Sequence, residues 1–205
     1  MTTNDKSALN RRKRYLMNIE KLIQVTSYIL SKYKGILNYT KLIKLLYLSD
    51  RKSFELTGYS ISGDAYVSMK NGPVLSLLYD LIRNNCNETS LQYYWNSKFT
   101  TDGYDIHQVC DYIPLGELSK NDIEIMDLID KQFHYNDFRQ MIDFVHKNCP
   151  EWQMTFSSIP LSKIKIMKNV GISDDDIKLI LSEESSYETE KELLKSLDYP
   201  IEDYV

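Results

Sequence analysis

Residues 41–82 read KLIKLLYLSDRKSFELTGYSISGDAYVSMKNGPVLSLLYDLI, and their pattern changes from helix to strand and back to helix. The first two turns are apolar almost all round, which is typical of a helix in the middle of a bundle. We expect this helix to begin at an N-cap near 38–40 and to end at Gly58. Glycine, asparagine and proline then punctuate a short extended run over 65–69, after which a helix resumes at Ser76.

Helical patterns flank this stretch on both sides. Apolar residues recur every three to four positions over 15–33, and Gly35 is placed to end that helix. Ser119 and Asp122 form a variant of the capping box, with Asp where Glu is usual, so a helix is predicted to follow Ser119. Further helices are predicted after an Asn136 cap, over 161–170, and from Ser173 onward beyond Gly171.

A β-hairpin is predicted between the helical segments. Apolar residues alternate over 91–95 and again over 104–112, and Asp102-Gly103 between the two runs is a turn signal. The chain is therefore expected to have an α+β fold that is predominantly helical. We expect a compact helical domain with a small antiparallel sheet or hairpin and a C-terminal helical appendage.

The net charge of −4 is distributed unevenly along the 205 residues. Residues 1–14 carry five basic groups and one acid, whereas 174–205 carry eleven acids and three lysines. Residues 15–173 are balanced, with 17 groups of each sign. We therefore divide the chain into a basic N-terminal arm (1–14), a central domain (15–155) and an acidic helical extension (156–205).

Hydropathy and cysteine usage indicate a cytoplasmic protein. No stretch approaches the roughly 18 consecutive apolar residues of a membrane span, and no apolar run follows the basic N-terminus as in a secretory signal. Cys86, Cys110 and Cys149 are odd in number and widely spaced. We therefore expect three reduced thiols, no disulfide and no membrane partner.

Catalytic patterns are weak. His146 and Cys149 would place a base near a thiol, but no Asn or Asp is evidently positioned to orient the imidazole. Asp50 and Arg51 are assigned to a solvated helix face. Neither glycine-rich phosphate loops nor the His and Cys spacings of metal sites occur. The sequence therefore predicts a protein that is not an enzyme and needs no cofactor or metal.

Nucleic acid is disfavoured as a partner. The basic run over 11–14 could contact phosphates, but it is short and lacks interleaved aromatic residues. The two predicted helices around Gly171 have the length of a helix-turn-helix, yet the second begins with three aspartates at 174–176. Phosphates would repel those carboxylates, so this element is not expected to bind DNA.

Three motifs occur in order along the chain: K-L-x-K-L-L-Y over 41–47, G-D-x-Y-x-x-M-K-x-G-P-V-x-S over 63–76, and H-x(5)-W over 146–152. This series resembles the SocA-like Panacea domain, the family also described as phage-associated GepA-like proteins. The capped helix over 118–133 resembles the family as well. The resemblance covers about 15–155, with two departures: Leu75 stands where many members have Pro, and Ser49 where Ala is usual.

The resemblance implies an antitoxin of a toxin–antitoxin system, which neutralises a cognate protein toxin by direct binding and has no assigned catalytic residues. The motif residues also have a physical interpretation, in which Gly72-Pro73 fixes a turn before Val74 and His146 and Trp152 close over one edge of the second helix. In this interpretation a polar and aromatic partner surface is lined by Lys41, Lys44, Tyr47, Tyr66, Lys70 and Trp152. The alternative is that these residues only build the domain. The candidate partner-binding or signature residues are Lys41, Lys44, Tyr47, Tyr66, Lys70, Gly72, Pro73, Val74, His146 and Trp152.

Two other functions remain open at this point. The charged ends are compatible with an adaptor that presents a partner to a protease, and the run over 11–14 with a nucleic-acid-binding regulator. The acids of 174–205 could steer association with a basic toxin, or they could simply form a solvated helix. The sequence leaves the oligomeric state and the identity of the toxin open.

Overall fold

In the computed structural model, which describes residues 19–196, eight helices and six short strands follow one another along the chain. None of the helices in this range is long and apolar enough to cross a membrane. In chain order the elements are α1 (19–31), β1 (Ile36–Asn38), α2 (Tyr39–Thr57), β2 (Tyr66–Met69), β3 (Gly72–Leu75), α3 (Ser76–Ile82), α4 (Thr89–Asn96), β4 (Phe99–Asp102), β5 (Asp105–Gln108), α5 (Lys120–Phe133), α6 (Phe138–Asn148), β6 (Ile159–Leu161), α7 (Lys163–Asn169) and α8 (Asp174–Ser196).

Helix α2 is the centre of the molecule. It contacts α3, α5, α6 and α7, as well as strands β1 and β3. The side chain of Asn38 accepts hydrogen bonds from the first turn of the helix, and Gly58 ends it in the left-handed conformation with φ of 81°. Both ends therefore lie where the capping pattern predicts them. Leu42, Leu45 and Tyr47 are fully buried, as the nearly all-apolar first turns require.

Two small antiparallel sheets flank this helix. One has the order β1-β5-β4, and the other has the order β3-β2-β6. In the second sheet Val67 of β2 lies between Val74 of β3 and Pro160 of β6. Strands β1 and β6 were not predicted, because three-residue strands are too short to show an alternating pattern and are fixed by partners distant in sequence. Strand β3 was not predicted either, because its glycine and proline were interpreted as part of a turn.

The α+β, predominantly helical fold class is confirmed, and so are several local predictions. Ser119 and Asp122 form a complete capping box at the start of α5. The first helix does end before Gly35, whose N–H donates to Leu30 O, although residues 1–18 lie outside the described range. The helical pair in the extension is present as α7 and α8.

Two predictions of local structure are wrong. Residues 91–95 are part of helix α4, because the spacing of Leu91 and Trp95 also fits one face of a helix. Both of these side chains are buried, whereas Tyr93 between them is exposed. The hairpin exists but is formed by β4 and β5. The cap of α6 is Asp137, one residue later than predicted, because its carboxylate accepts from Gln140 N.

Candidate functional site

A row of polar side chains on α2 lies in the interior of the protein. Lys41, Lys44, Tyr47 and Arg51 are three or four residues apart and so share one face of the helix. Each of them bonds to a segment that is distant in sequence. Asp50 lies close to this face and is 1% exposed. This polar face of α2 therefore joins the helix to the rest of the fold.

Lys44 holds the turn between β2 and β3. Its Nζ atom donates to Pro73 O at 2.7 Å, and the residue is 1% exposed. Among the described residues it forms no ion pair with a carboxylate. Burial without a counter-ion disfavours the ammonium form and lowers the pKa of Lys44 to about 7.

Gly72 lets this turn approach Lys44 closely. Its φ of 102° is one that residues with a side chain rarely adopt. A Cβ atom at this position would lie 2.7 Å from Val145 Cγ2 and 3.2 Å from Lys44 Nζ. The G-P-V motif is therefore explained by a backbone that packs directly against α2 and α6.

His146 and Trp152 hold the other side of the same turn. Their rings are stacked, with centroids 3.9 Å apart and 7° between the planes. The Trp152 indole N–H donates to Met69 O at 2.8 Å. The H-x(5)-W motif thus pairs a ring at the end of α6 with the turn that Lys44 holds, and Lys70 and Asn71 are left exposed at the tip.

Glu151 is the acceptor for two residues of α2. Its Oε1 atom accepts from Tyr47 OH at 2.6 Å and from Arg51 Nε at 2.8 Å. Glu151 is fully buried, whereas the Arg51 side chain is 21% exposed. Burial and the adjacent carboxylate raise the pKa of Tyr47 far above its ordinary value, so the phenol stays protonated and donates.

Asp50 organises the chain between α2 and β2. Its carboxylate accepts from Ile61 N at 2.9 Å, from Ser62 N at 2.8 Å, and from Tyr66 OH at 2.9 Å. The Ser62 hydroxyl also donates to it. Burial raises the pKa of Asp50 despite these donors. Asp64 acts similarly at the start of α3, where Leu77 N and Leu78 N donate to it.

Lys41 belongs to a separate contact near the start of α2. Its Nζ atom donates to His134 O at 2.6 Å and lies 4.6 Å from the centre of the Tyr33 ring. Tyr33 in turn stacks on His134, with ring centroids 4.8 Å apart. Lys41 is 5% exposed, so its amine ties α2 to the end of α5.

The predicted partner surface is corrected by these positions. Lys41, Lys44, Tyr47 and Tyr66 are buried and cannot line an open surface, because their polar atoms already bond within the fold. Of the six residues proposed for that surface, Lys70 is exposed and Trp152 is half-buried. The partner-binding role of the set stays a prediction.

Sequence reasoning missed the carboxylates that complete the site. Asp50 and Arg51 were assigned to a solvated helix face, yet Asp50 is buried and Arg51 pairs with buried Glu151. A signal was present, since charged residues at 44, 50 and 51 interrupt a helix that is otherwise read as central to the bundle. Charges in such a helix need partners inside the protein.

A pocket of about 500 Å³ opens beside the turn. We call it the turn pocket. Its lining combines aromatic and aliphatic side chains with two lysines, and contains no Asp or Glu among the described residues. The lining residues are Asn38, Tyr39, Thr40, Ile43, Lys44, Met69, Lys70, Asn71, Val74, Tyr79, Tyr104, Phe138 and Ile142.

The His146–Cys149 pair is poorly suited to nucleophilic chemistry. Cys149 is 1% exposed, and burial together with nearby Glu151 raises the pKa of its thiol to about 12. A thiol nucleophile needs the opposite shift, because only the thiolate attacks. Burial and the charge of Lys44 lower the pKa of His146, and its Nε2 atom is buried without a hydrogen-bond partner among the described residues.

The comparisons with known proteins give one match. A family model described as antitoxin SocA-like, Panacea domain, matches residues 42–153, which is more than half of the chain. This span begins in the first turn of α2, one residue after Lys41, and ends just after Trp152. The searches of curated proteins and of solved structures found no match.

Proposed function

Because the chain belongs to the family of SocA-like antitoxins with a Panacea domain, we propose that it neutralises a cognate protein toxin by binding it directly. One observation carries this proposal. The family match extends from Leu42 past Trp152, and so includes the segments that form hydrogen bonds with the polar face of α2 and with the turn between β2 and β3. These segments position a turn and its pocket at the surface, which is what a binding protein requires.

Neutralisation by binding needs no catalysis, and we propose that the protein is not an enzyme. The buried polar groups support this, since Lys44, Tyr47 and Asp50 are each engaged in bonds that hold the fold. The raised pKa of Cys149 supports it as well. A cytoplasmic site of action is part of the proposal, because Cys86, Cys110 and Cys149 are free thiols.

Co-expression with the product of the neighbouring gene tests the function. We expect that product to arrest growth when it is produced alone, and growth to recover when this chain is produced with it. The two proteins should then elute together in size-exclusion chromatography of purified material. A neighbouring product that is harmless alone, or growth recovery without a complex, would contradict neutralisation by direct binding.

A pair of glycine variants tests whether rescue depends on the folded turn between β2 and β3. Gly72→Ala is expected to unfold the turn without changing any surface charge, and so to lose both rescue and complex formation. Gly103→Ala serves as the control, because no atom lies within 4 Å of a Cβ built at that position. Rescue that survives in Gly72→Ala at wild-type level would argue against the turn region as the binding element.

A further inference from the structure

The turn between β2 and β3 is held by side chains from two parts of the fold. From α2, Lys44 Nζ donates to Pro73 O at 2.7 Å. From the segment after α6, the Trp152 indole N–H donates to Met69 O at 2.8 Å, and the His146 ring stacks on that indole. Lys44 and His146 are both bases, so the position of the turn can depend on their protonation.

The closed position of the turn favours the neutral form of the Lys44 amine. Lys44 is 1% exposed, and its bond to Pro73 O is a bond to a neutral acceptor. Burying an ammonium group without a carboxylate is costly, and the cost disappears when the group reaches water. The charged form of Lys44 therefore favours a state in which the turn has moved away and the amine is hydrated.

The ionisable groups around Lys44 do not offset its charge. On α2 the phenol of Tyr47 stays protonated, and burial raises the pKa of the Cys149 thiol to about 12. The Glu151 carboxylate is bonded to Tyr47 and Arg51. The other groups on neighbouring elements are Lys70 on the turn, Asp143 and His146 on α6, and the phenols of Tyr39, Tyr79 and Tyr104 in the turn pocket. No carboxylate in this set is bonded to Lys44, so a proton on its amine stays uncompensated.

His146 adds a second charge on the other side of the turn. Its Nε2 atom is buried, and no residue in the described part of the chain hydrogen-bonds to it. Burial and the charge of Lys44 both lower the pKa of His146. Protonation of His146 would place two positive charges beside one turn, where they repel each other. As pH falls below about 6.5, an open turn therefore takes up this second proton more readily than a closed one.

We propose that the turn between β2 and β3 (residues 69–73) is an acid-sensitive switch, closed against α2 and α6 when Lys44 is neutral and released when Lys44 and then His146 bind protons. Strand β2 stays paired with β6, so the opening is local and the rest of the fold is retained. The turn carries the exposed Lys70 and Asn71 at its tip, and these side chains lose their fixed position in the open state. This inference goes beyond the proposed function and does not depend on it.

Hydrogen exchange followed by NMR tests the switch in the wild-type chain. The reporters are the Gly72 amide, which lies opposite Met69 in the ladder, and the Trp152 indole N–H. From pH 7.5 to 8.5 the equilibrium constant for opening should fall about tenfold, because the open state binds one more proton. Base-catalysed exchange changes in the opposite direction, so the measured rates of the reporters should stay nearly constant. Amides that exchange through local openings elsewhere, such as those at the end of α4, should exchange faster as pH rises.

Two results in the wild-type chain would overturn the inference. Reporter rates that rise with pH as steeply as those at the end of α4 would mean that opening involves no proton. The second comparison is with the amides of Leu45 and Leu46, which are buried in α2. We expect the reporters to exchange at least about tenfold faster than these amides, because a local opening costs less than global unfolding. Equal rates would mean that the turn opens only when the whole chain unfolds.

Two buried lysines of α2 provide a matched pair of variants. Lys44→Met, if circular dichroism shows it folded, should restore the ordinary rise of the reporter rates with pH, and nearly constant rates in this variant would overturn the inference. Lys41→Met loses a comparable bond, to His134 O, away from the turn and should behave like the wild type. If Lys44→Met does not fold, the ¹³Cε signal of Lys44 in the wild-type chain decides. It should titrate near pH 7, and a midpoint above about pH 9 would overturn the inference.

Discussion

Lys44 and Pro73, 29 residues apart in sequence, are joined by a hydrogen bond of 2.7 Å from a buried amine to a backbone carbonyl. A neutral acceptor does not stabilise an ammonium group as a carboxylate would. The folded protein therefore releases the Lys44 proton near pH 7, whereas the unfolded chain keeps it up to about pH 10.5. This difference makes stability depend on pH.

Between pH 7 and pH 9 the free energy of unfolding should rise with pH. The unfolded state binds one more proton than the folded state in this window, so the slope is positive and about 1 kcal/mol per pH unit. Urea denaturation at pH 7, 8 and 9 measures it. Lys44→Met should reduce the slope by about this amount. The Cys149 thiol contributes in the opposite sense near pH 9, because it loses its proton there only in the unfolded state, but it does so in both proteins. Equal slopes in the two proteins would refute the assignment to Lys44.

Gly72→Ala should destabilise the protein by about 3 kcal/mol, from backbone strain at positive φ and from overpacking. The new Cβ would meet Val145 and Lys44, neither of which has room to move. Gly103→Ala, at φ of 58° in open space, should cost about 1 kcal/mol. Thermal and urea unfolding compare the two variants, and similar losses would mean that the close packing of the turn is unimportant.

Arg51→Met should leave the buried Glu151 carboxylate without its cation. We expect a loss of about 2 kcal/mol, less than for a fully enclosed pair because the Arg51 side chain is partly exposed. The matched control is Lys178→Met, which breaks the exposed pair with Asp175 and should change stability by at most about 0.5 kcal/mol. If the two variants lose similar amounts of unfolding free energy, the buried Glu151–Arg51 pair contributes no more to stability than an exposed ion pair.

Cys149 should be the least reactive thiol. In the native protein at pH 8, we expect Ellman's reagent to modify Cys86 and Cys110 and to leave Cys149 until the chain unfolds, because the thiol is buried and its pKa is raised. Cys149→Ala should therefore leave the amplitude of the native-state reaction unchanged. A fast phase that disappears in this variant would mark Cys149 as an activated thiol and would argue for an enzyme.

Local signals in the sequence predicted the helices well. Asn38, Gly58 and the Ser119–Asp122 box act on their own neighbours, so the pattern and the structure agree. The segment 91–95 failed because a five-residue run fits both periods, and burial of Leu91 and Trp95 favours the helix. Strand β6 was missed because Pro160 was interpreted only as a boundary.

The candidate site was less predictable than the fold. The motifs identified Lys44, Gly72 and Trp152. Spacing along the chain does not reveal that the polar side-chain atoms of Lys44 and Trp152 form hydrogen bonds inside the fold. Glu151 lies directly before Trp152 in the sequence, yet it was missed because the residue to which it bonds, Tyr47, is 104 residues away. Contacts of that separation depend on the packing of α2 against α6, which no local pattern encodes.

The bond between Tyr47 and Glu151 also has a consequence for synthesis on the ribosome. These residues are 104 positions apart, and at about 5–20 residues per second Glu151 joins the nascent chain roughly 5–20 s after Tyr47. During that interval Tyr47 and Arg51 have no buried carboxylate to receive them. Native packing of the central helix therefore cannot be complete before the Glu151–Trp152 segment has been made, long after the helix itself has been translated.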